Sequence, residues 1–154
     1  MLDAGTVVRE LQGMRDDGHL SDALLRRAVR SVAAADDRYD WVGIYLVGEG
    51  ELWLHNYIGE PTEHAKIPIG QGVAGRAVQS HRNQNAKDVT KEEGFLGSSP
   101  EIQSELVILI RAGDQIFGGI DVDSEKAAAF NEEDEIALIS IADKLAEQLA
   151  AERR

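Results

Sequence analysis

Trp41-Val42-Gly43-Ile44-Tyr45-Leu46-Val47 is where the chain's apolar period changes from helical to two. Side chains alternate across a strand, so one face collects Val42, Ile44 and Leu46 and the other Trp41, Gly43 and Tyr45. Leu52 to Ile58 continues the pattern after Gly48, Glu49 and Gly50, a tight turn, which makes the pair an antiparallel hairpin. Leu106–Ile110 and Ile116–Val122 form a second hairpin around Gly113 and Asp114. In the first of these strands Leu106, Ile108 and Ile110 oppose Glu105, Val107 and Leu109. In the next, Ile116, Gly118, Ile120 and Val122 oppose Phe117, Gly119, Asp121 and Asp123. Aliphatic faces of this kind need cover, which points to an α+β domain with helices packed on one side of an antiparallel sheet.

The cover comes from the ends of the chain. Val7, Val8, Leu11 and Met14 mark a helix over residues 3 to 17, stopped by Gly18. Ser21 reads as the N-cap of a second helix to Ala35, with Leu24, Leu25, Ala28, Val29 and Val32 on its apolar side. Asn131 reads as the cap of a last helix whose face is Ile136, Ile139, Ala142, Leu145 and Leu149. Glu132, Glu133 and Asp134 sit in its first turn, where carboxylates suit the helix dipole. Gly59 to Gly70 reads as an irregular connection and Gly72 to Ser80 as a short helix opened by glycines. Residues 84 to 103 read mostly as loop, and so long a loop in a small domain is more often a lid or binding element than an accident. The expected organisation is one domain over 1–154, with N-terminal helices in 1–38, sheet and pocket in 39–124 and a C-terminal helix in 131–154.

Composition narrows the function. A chain of 154 residues with 43% hydrophobic residues can bury a core, and a net charge of −12 opposes binding to nucleic acid or an anionic membrane. The N-terminus, Met1 to Glu10, lacks a basic stretch followed by an apolar run, and a cytoplasmic location is expected. There is no cysteine, which removes disulfides, thiolate nucleophiles and cysteine metal sites.

The second face of the strands is the informative one. If the strands are neighbours, Trp41 and Tyr45 wall a concave site in which Glu105, Asp121 and Asp123 are the polar points and the long loop is the cover. Clustered carboxylates are unfavourable unless a cation balances them or one stays protonated. A ligand ammonium, a metal ion or a protonated acid each resolves that conflict. The histidines nearest the site, His55 and His64, lack a partner at helical ligand spacing, so neither metal nor other cofactor is assigned. Gly70-Gln71-Gly72-Val73-Ala74-Gly75 has the glycine order of a dinucleotide fingerprint without a βαβ unit around it, and reads as a helix-opening turn. Its amides could face an anionic group such as a carboxylate.

Trp41 to Leu46, Ile67 to Gly75, Ser104-Glu105-Leu106-Val107, Gly119 to Ser124 and Phe130 to Glu135, in that order and spacing, resemble the free methionine-R-sulfoxide reductases, which are single GAF domains. The resemblance runs from about Asp40 to the last helix. It implies a GAF-like sheet and an enclosed pocket for a small zwitterion, with Trp41, Tyr45, Glu105, Asp121 and Asp123 as its ligand-binding residues. The family's chemistry uses a thiolate that attacks the sulfoxide sulfur and a second cysteine that resolves the product. The positions that match those cysteines hold His64, Ala74 and Ser98.

The resemblance therefore implies a pseudoenzyme: a cytoplasmic ligand-binding or signalling GAF domain that takes an amino-acid-like molecule without turning it over. Two rivals stand beside it. One is an enzyme using acid-base or metal chemistry in the same pocket. The other is a structural homodimer, joined through its terminal helices, whose pocket is vestigial.

Overall fold

In the computed structural model, which describes residues 1–153, the strand from Trp41 lies inside a six-stranded sheet. The elements are α1 (Ala4–Asp16), α2 (Ser21–Ala35), β1 (Trp41–Gly48), β2 (Glu51–Ile58), β3 (Lys66–Pro68), α3 (Gly72–Ser80), β4 (Gln84–Ala86), a 3₁₀ turn (Val89–Lys91), β5 (Ser104–Ala112), β6 (Gln115–Ser124) and α4 (Glu132–Glu152). The strand order is β3-β2-β1-β6-β5-β4 and every neighbouring pair is antiparallel. The predicted α4 ended at Arg154, which lies outside the described residues. Among the described residues no helix is long and apolar enough to cross a membrane.

Both hairpins turn where expected. Glu49 and Gly50 both take positive φ, 54° and 79°, the geometry that matches the twist of a two-residue hairpin. Gly18 ends α1 at φ 90°, with the His19 amide reaching back to the Met14 carbonyl. The start of α2 differs from expectation. Ser21 is the first helical residue rather than its cap, Leu20 occupies the cap position, and the Ser21 amide and hydroxyl both donate to the Glu152 carboxylate at 2.7 Å. A side chain from α4 thus supplies what a local cap normally does.

The aliphatic face of the sheet meets α1, α2 and α4 in one core that includes Val42, Ile44, Leu106, Ile108, Ile110, Ile120 and Val122. At one end of β6 the predicted faces are exchanged. Ile110 pairs with Gly118 and Arg111 with Ile116, which leaves Phe117 as an extra, unpaired residue in a bulge. The insertion reverses the alternation, so Phe117 is fully buried in the helix-side core and Ile116 packs on the other side. The face of α4 is also rotated from the predicted one. Ile136 and Ile139 are exposed, while Leu138 and Ile141 are fully buried with Ala142, Leu145 and Leu149. Asn131 caps α4 as expected, and Asp134 completes a capping box by accepting from the Asn131 amide at 2.8 Å.

Two short strands escape the sequence pattern. Lys66–Pro68 pairs with β2 inside the segment expected to be irregular, and Gln84–Ala86 pairs with β5 inside the long loop. Three residues are too few for a period of two to register, and both lie at sheet edges, where Pro68 is tolerated.

The close pairing of β6 with β1 gives a direct test. A Cβ placed on Gly118 lies 1.9 Å from the Tyr45 carbonyl oxygen, whereas one on Gly13, within α1, meets nothing within 4 Å. Denaturant unfolding is expected to show Gly118→Ala destabilised by about 3 kcal/mol. Gly13→Ala is expected to be stabilised by roughly 0.5–1 kcal/mol.

Candidate functional site

The second face of the sheet carries the acids in one group. Trp41 pairs with Asp123, Gly43 with Asp121 and Tyr45 with Gly119 across β1 and β6, while Glu105 pairs with Asp123 across β5 and β6. Residues two apart on β6 and directly opposite on β5 share this face, so Glu105, Asp121 and Asp123 converge. Carboxylate oxygens from all three lie within 4.8 Å of one another.

They converge away from water. Glu105, Asp121 and Asp123 are 3%, 5% and 2% exposed. The face above them is filled by Trp41, Tyr45, Val107 and Leu109 of the sheet and by Val73, Ala74, Ala77 and Val78 of α3. Trp41 lies 5.5 Å from Tyr57, nearly parallel to it, and 6.5 Å from Tyr45. Its indole N–H donates to the Glu60 carbonyl at 3.1 Å, and the Tyr45 hydroxyl donates to the His64 carbonyl at 2.8 Å. The aromatic polar ends are therefore spent on the segment between β2 and β3, which they hold against the site.

The acids are less well supplied. Ser98, from the long loop, donates its hydroxyl to Asp123 Oδ2 at 2.9 Å. No N–H or hydroxyl group donates to Asp121 Oδ1 or Asp123 Oδ1, both of which are buried. Burial, then the charges of Asp121 and Asp123, holds the Glu105 carboxyl well above the usual carboxylate range. Burial and the charge of Asp121 raise Asp123 well above that range, partly offset by Ser98. Burial raises Asp121 too, against hydrogen bonding with Glu105 and Asp123 that pulls it back down. Like charges at this spacing repel by on the order of 3 kcal/mol per pair at an effective dielectric constant near 20, so full ionisation without a cation is strongly opposed. Burial followed by the negative charge of the acids pushes the Tyr45 phenol up as well.

The other predicted positions fall as follows. His55 is the extra residue of a bulge in β2 and turns to α2, where its Nε2 lies 2.9 Å from Asp22, so it does not join the acids. His64 and Ser98 line a common cavity of about 350 Å³ with Thr62, Phe95 and Ser99. Ala74 is buried in α3. Of the three positions matched to cysteines, Ser98 is the one hydrogen-bonded to the acid group. The glycines at 70–75 do open α3, and a larger cavity of about 670 Å³ lies there, with Arg76 and Lys91 in its wall. Sequence reasoning missed Tyr57 as the stacking partner of Trp41; its place opposite Gly43, across from a residue with no side chain, is the signal that finds it.

A curled antiparallel sheet with helices on one face and a loop-covered polar group on the other defines a class of α+β domain. The chain belongs to the GAF domain family, whose profile matches residues 20–152. It is 32% identical to the free methionine-R-sulfoxide reductase of Escherichia coli over 111 residues, 72% of this chain and 67% of that protein. The free methionine-R-sulfoxide reductase of Neisseria meningitidis, solved in complex with its substrate, superposes with a TM-score of 0.87 at 28% identity, covering 97% of this chain and 90% of that one. A putative GAF sensor protein of Burkholderia vietnamiensis does so with a TM-score of 0.88 at 26% identity, covering 98% and 96%. Unlike a thiol reductase, this chain holds no cysteine.

Chemically, three carboxylates can hold a cation when ionised or donate hydrogen bonds when protonated. Their raised affinity for protons also sets a stability signature. A group whose pKa is raised by folding contributes its stability below the ordinary carboxylate range and loses it as pH climbs through the raised value. Asp121→Asn removes one such group at constant shape. Its stability advantage over the parent protein is expected to be small near pH 4 and to grow to about 2 kcal/mol near pH 8, read from unfolding midpoints across pH.

Proposed function

We propose that this protein binds a small amino-acid-like molecule at Glu105, Asp121 and Asp123, beside the cavity that His64 and Ser98 line, and does not turn it over. The observation that carries the reading is the pair of buried carboxylate oxygens on Asp121 and Asp123 with no hydrogen-bond partner. Buried polar atoms are nearly always satisfied, and these two belong to a group of acids flanked on the same sheet face by Trp41 and Tyr45. A ligand ammonium satisfies both oxygens, and Trp41 and Tyr45 suit an apolar side chain beside it. The similarity to proteins that act on free methionine sulfoxide favours a ligand of that size and charge.

The missing cysteines argue for binding without reduction. Reduction of a sulfoxide by a thiol ends with oxygen on the sulfur of a sulfenic acid, and a serine oxygen cannot take that oxygen and be recycled. The role we infer is that of a sensor or carrier, and the setting a cytoplasmic one.

Titration calorimetry against methionine, both epimers of its free sulfoxide and other amino acids is the test. Binding of at least one is expected, with a loss of tenfold or more in Asp121→Ala, about the worth of one charge-assisted hydrogen bond. Failure of all of them to bind removes the proposal.

The position of Ser98 makes a second measurement informative. With dithiothreitol as reductant the parent protein is expected to leave free methionine-R-sulfoxide unchanged. Ser98→Cys places a thiol beside Asp123 and is expected to convert it, the cysteine passing to a sulfenic acid that dithiothreitol then reduces. Ala74→Cys, on the buried side of α3, is not. Release of methionine, followed by chromatography, reads the outcome, and turnover by the parent protein contradicts the non-catalytic reading.

A further inference from the structure

We propose that ligand binding at the acid group is an exchange, in which the ligand's cationic group enters as protons leave, so that the site couples ligand uptake to proton release. The proposal rests on the reading that an ammonium-bearing ligand occupies this site. It adds that the ligand-free site is already held together by protons.

The geometry requires something of this kind. Glu105 on β5 and Asp121 and Asp123 on β6 put oxygens within 4.8 Å of each other at 5% exposure or less. Among the described residues none of the ion pairs involves them. The groups that face them from the packed elements do not neutralise them either. From β1, Tyr45 turns its hydroxyl to the His64 carbonyl, and Trp41 turns its N–H to the Glu60 carbonyl. From the long loop, Ser98 gives one neutral hydrogen bond to Asp123. From α3, Arg76 acts on Glu105 only at a distance, its guanidinium held by the Glu93 carbonyl at 2.6 Å and by Glu92 at 3.6 Å.

Three carboxyls so placed share protons when no cation is present, with Glu105 and Asp123 flanking Asp121. An ammonium aimed at the two unpartnered oxygens favours the ionised forms. The protons it displaces pass to the solvent, and no bond other than O–H is broken. The sign of the pH dependence follows. Affinity for an amine-bearing ligand rises with pH while the free site still holds a proton that the complex lacks, and levels off above that range. The slope is tenfold per pH unit for each proton displaced. A ligand recognised by an acceptor oxygen instead, through the protonated acids, has the opposite slope.

The test uses the full chain with L-methionine and free methionine-R-sulfoxide as probes. Calorimetry at one pH in phosphate and in Tris, whose ionisation heats differ, is expected to give different binding heats corresponding to release of about one proton per ligand. The dissociation constant is expected to fall roughly tenfold between about pH 5.5 and about pH 6.5. In parallel, carbon-13 carboxyl shifts of the ligand-free protein are expected to show at least one of the three carboxyls still protonated near pH 7.

Ligand binding with equal heats in the two buffers, or with affinity that falls as pH rises, overturns the exchange and leaves the ligand reading standing. Full ionisation of the ligand-free site near pH 7 overturns it whether or not a ligand is found. No binding by either probe sinks the ligand reading and the exchange together. Proton release on addition of magnesium or calcium alone, with none on addition of the amines, overturns it in favour of a metal site.

Discussion

The alternation of β6 between two buried faces governs the molecule. Because β1 and β5 pair with it on either side, β6 has no edge, and because helices cover one face and α3 with its flanking loops the other, no side chain in its middle reaches water. Ile120 and Val122 belong in such a place. Asp121 and Asp123 do not, and the same strand geometry that drives the first pair into the core confines the second beside Glu105. Everything polar about the site, from raised proton affinity to unpartnered oxygens, follows from placing acids on a strand buried on both sides.

That constraint explains what was legible in the sequence. Alternation over Trp41–Leu46, Glu105–Ile110 and Gly119–Asp123 puts Trp41, Tyr45 and the three acids on one face, because a period of two leaves no other arrangement between bulges. Bulges are where it failed. Phe117 is an extra residue in β6, and nothing in Gln115-Ile116-Phe117-Gly118 announces that the count shifts by one. In α4, Ile136 and Ile139 compete with Leu138 and Ile141 for the inner face, and a helix with apolar residues spread this widely does not reveal which arc turns inward. Ser21 looked like a cap because caps are local features, whereas its actual partner, Glu152, lies at the far end of the chain.

The contribution of Ser98 was hidden for a related reason. A serine in a loop with Gly94, Gly97 and Pro100 carries no periodic signal, and only the closing of that loop over the sheet brings its hydroxyl to Asp123. Resemblance located the position, and the structure supplied the contact. The hydroxyl satisfies one oxygen of Asp123 and leaves the other free, so the loop both covers the acid group and stops short of completing it. Tyr45 and Trp41 act in the same sense: each is buried, and each spends its polar atom on the backbone of the covering segment, leaving the acids with aromatic walls and few donors.

A comparison within the chain separates a structural acid from a site acid. Asp134 is also 5% exposed, yet it accepts from Arg38 at 2.7 and 2.9 Å, from the Tyr39 hydroxyl at 2.5 Å and from the Asn131 amide at 2.8 Å. Burial alone raises its pKa, but these donors outweigh burial and bring it below the ordinary value. The result is a fixed joint between the start of α4 and the segment leading into β1. Asp121 is buried to the same extent, has no basic partner and keeps an oxygen bare, and its pKa moves the other way. The fold is therefore able to satisfy a buried aspartate completely where its role is to hold elements together. At Asp121 and Asp123 the satisfaction is left incomplete at a cost in stability, which the proposed binding of a cationic group at these oxygens would relieve.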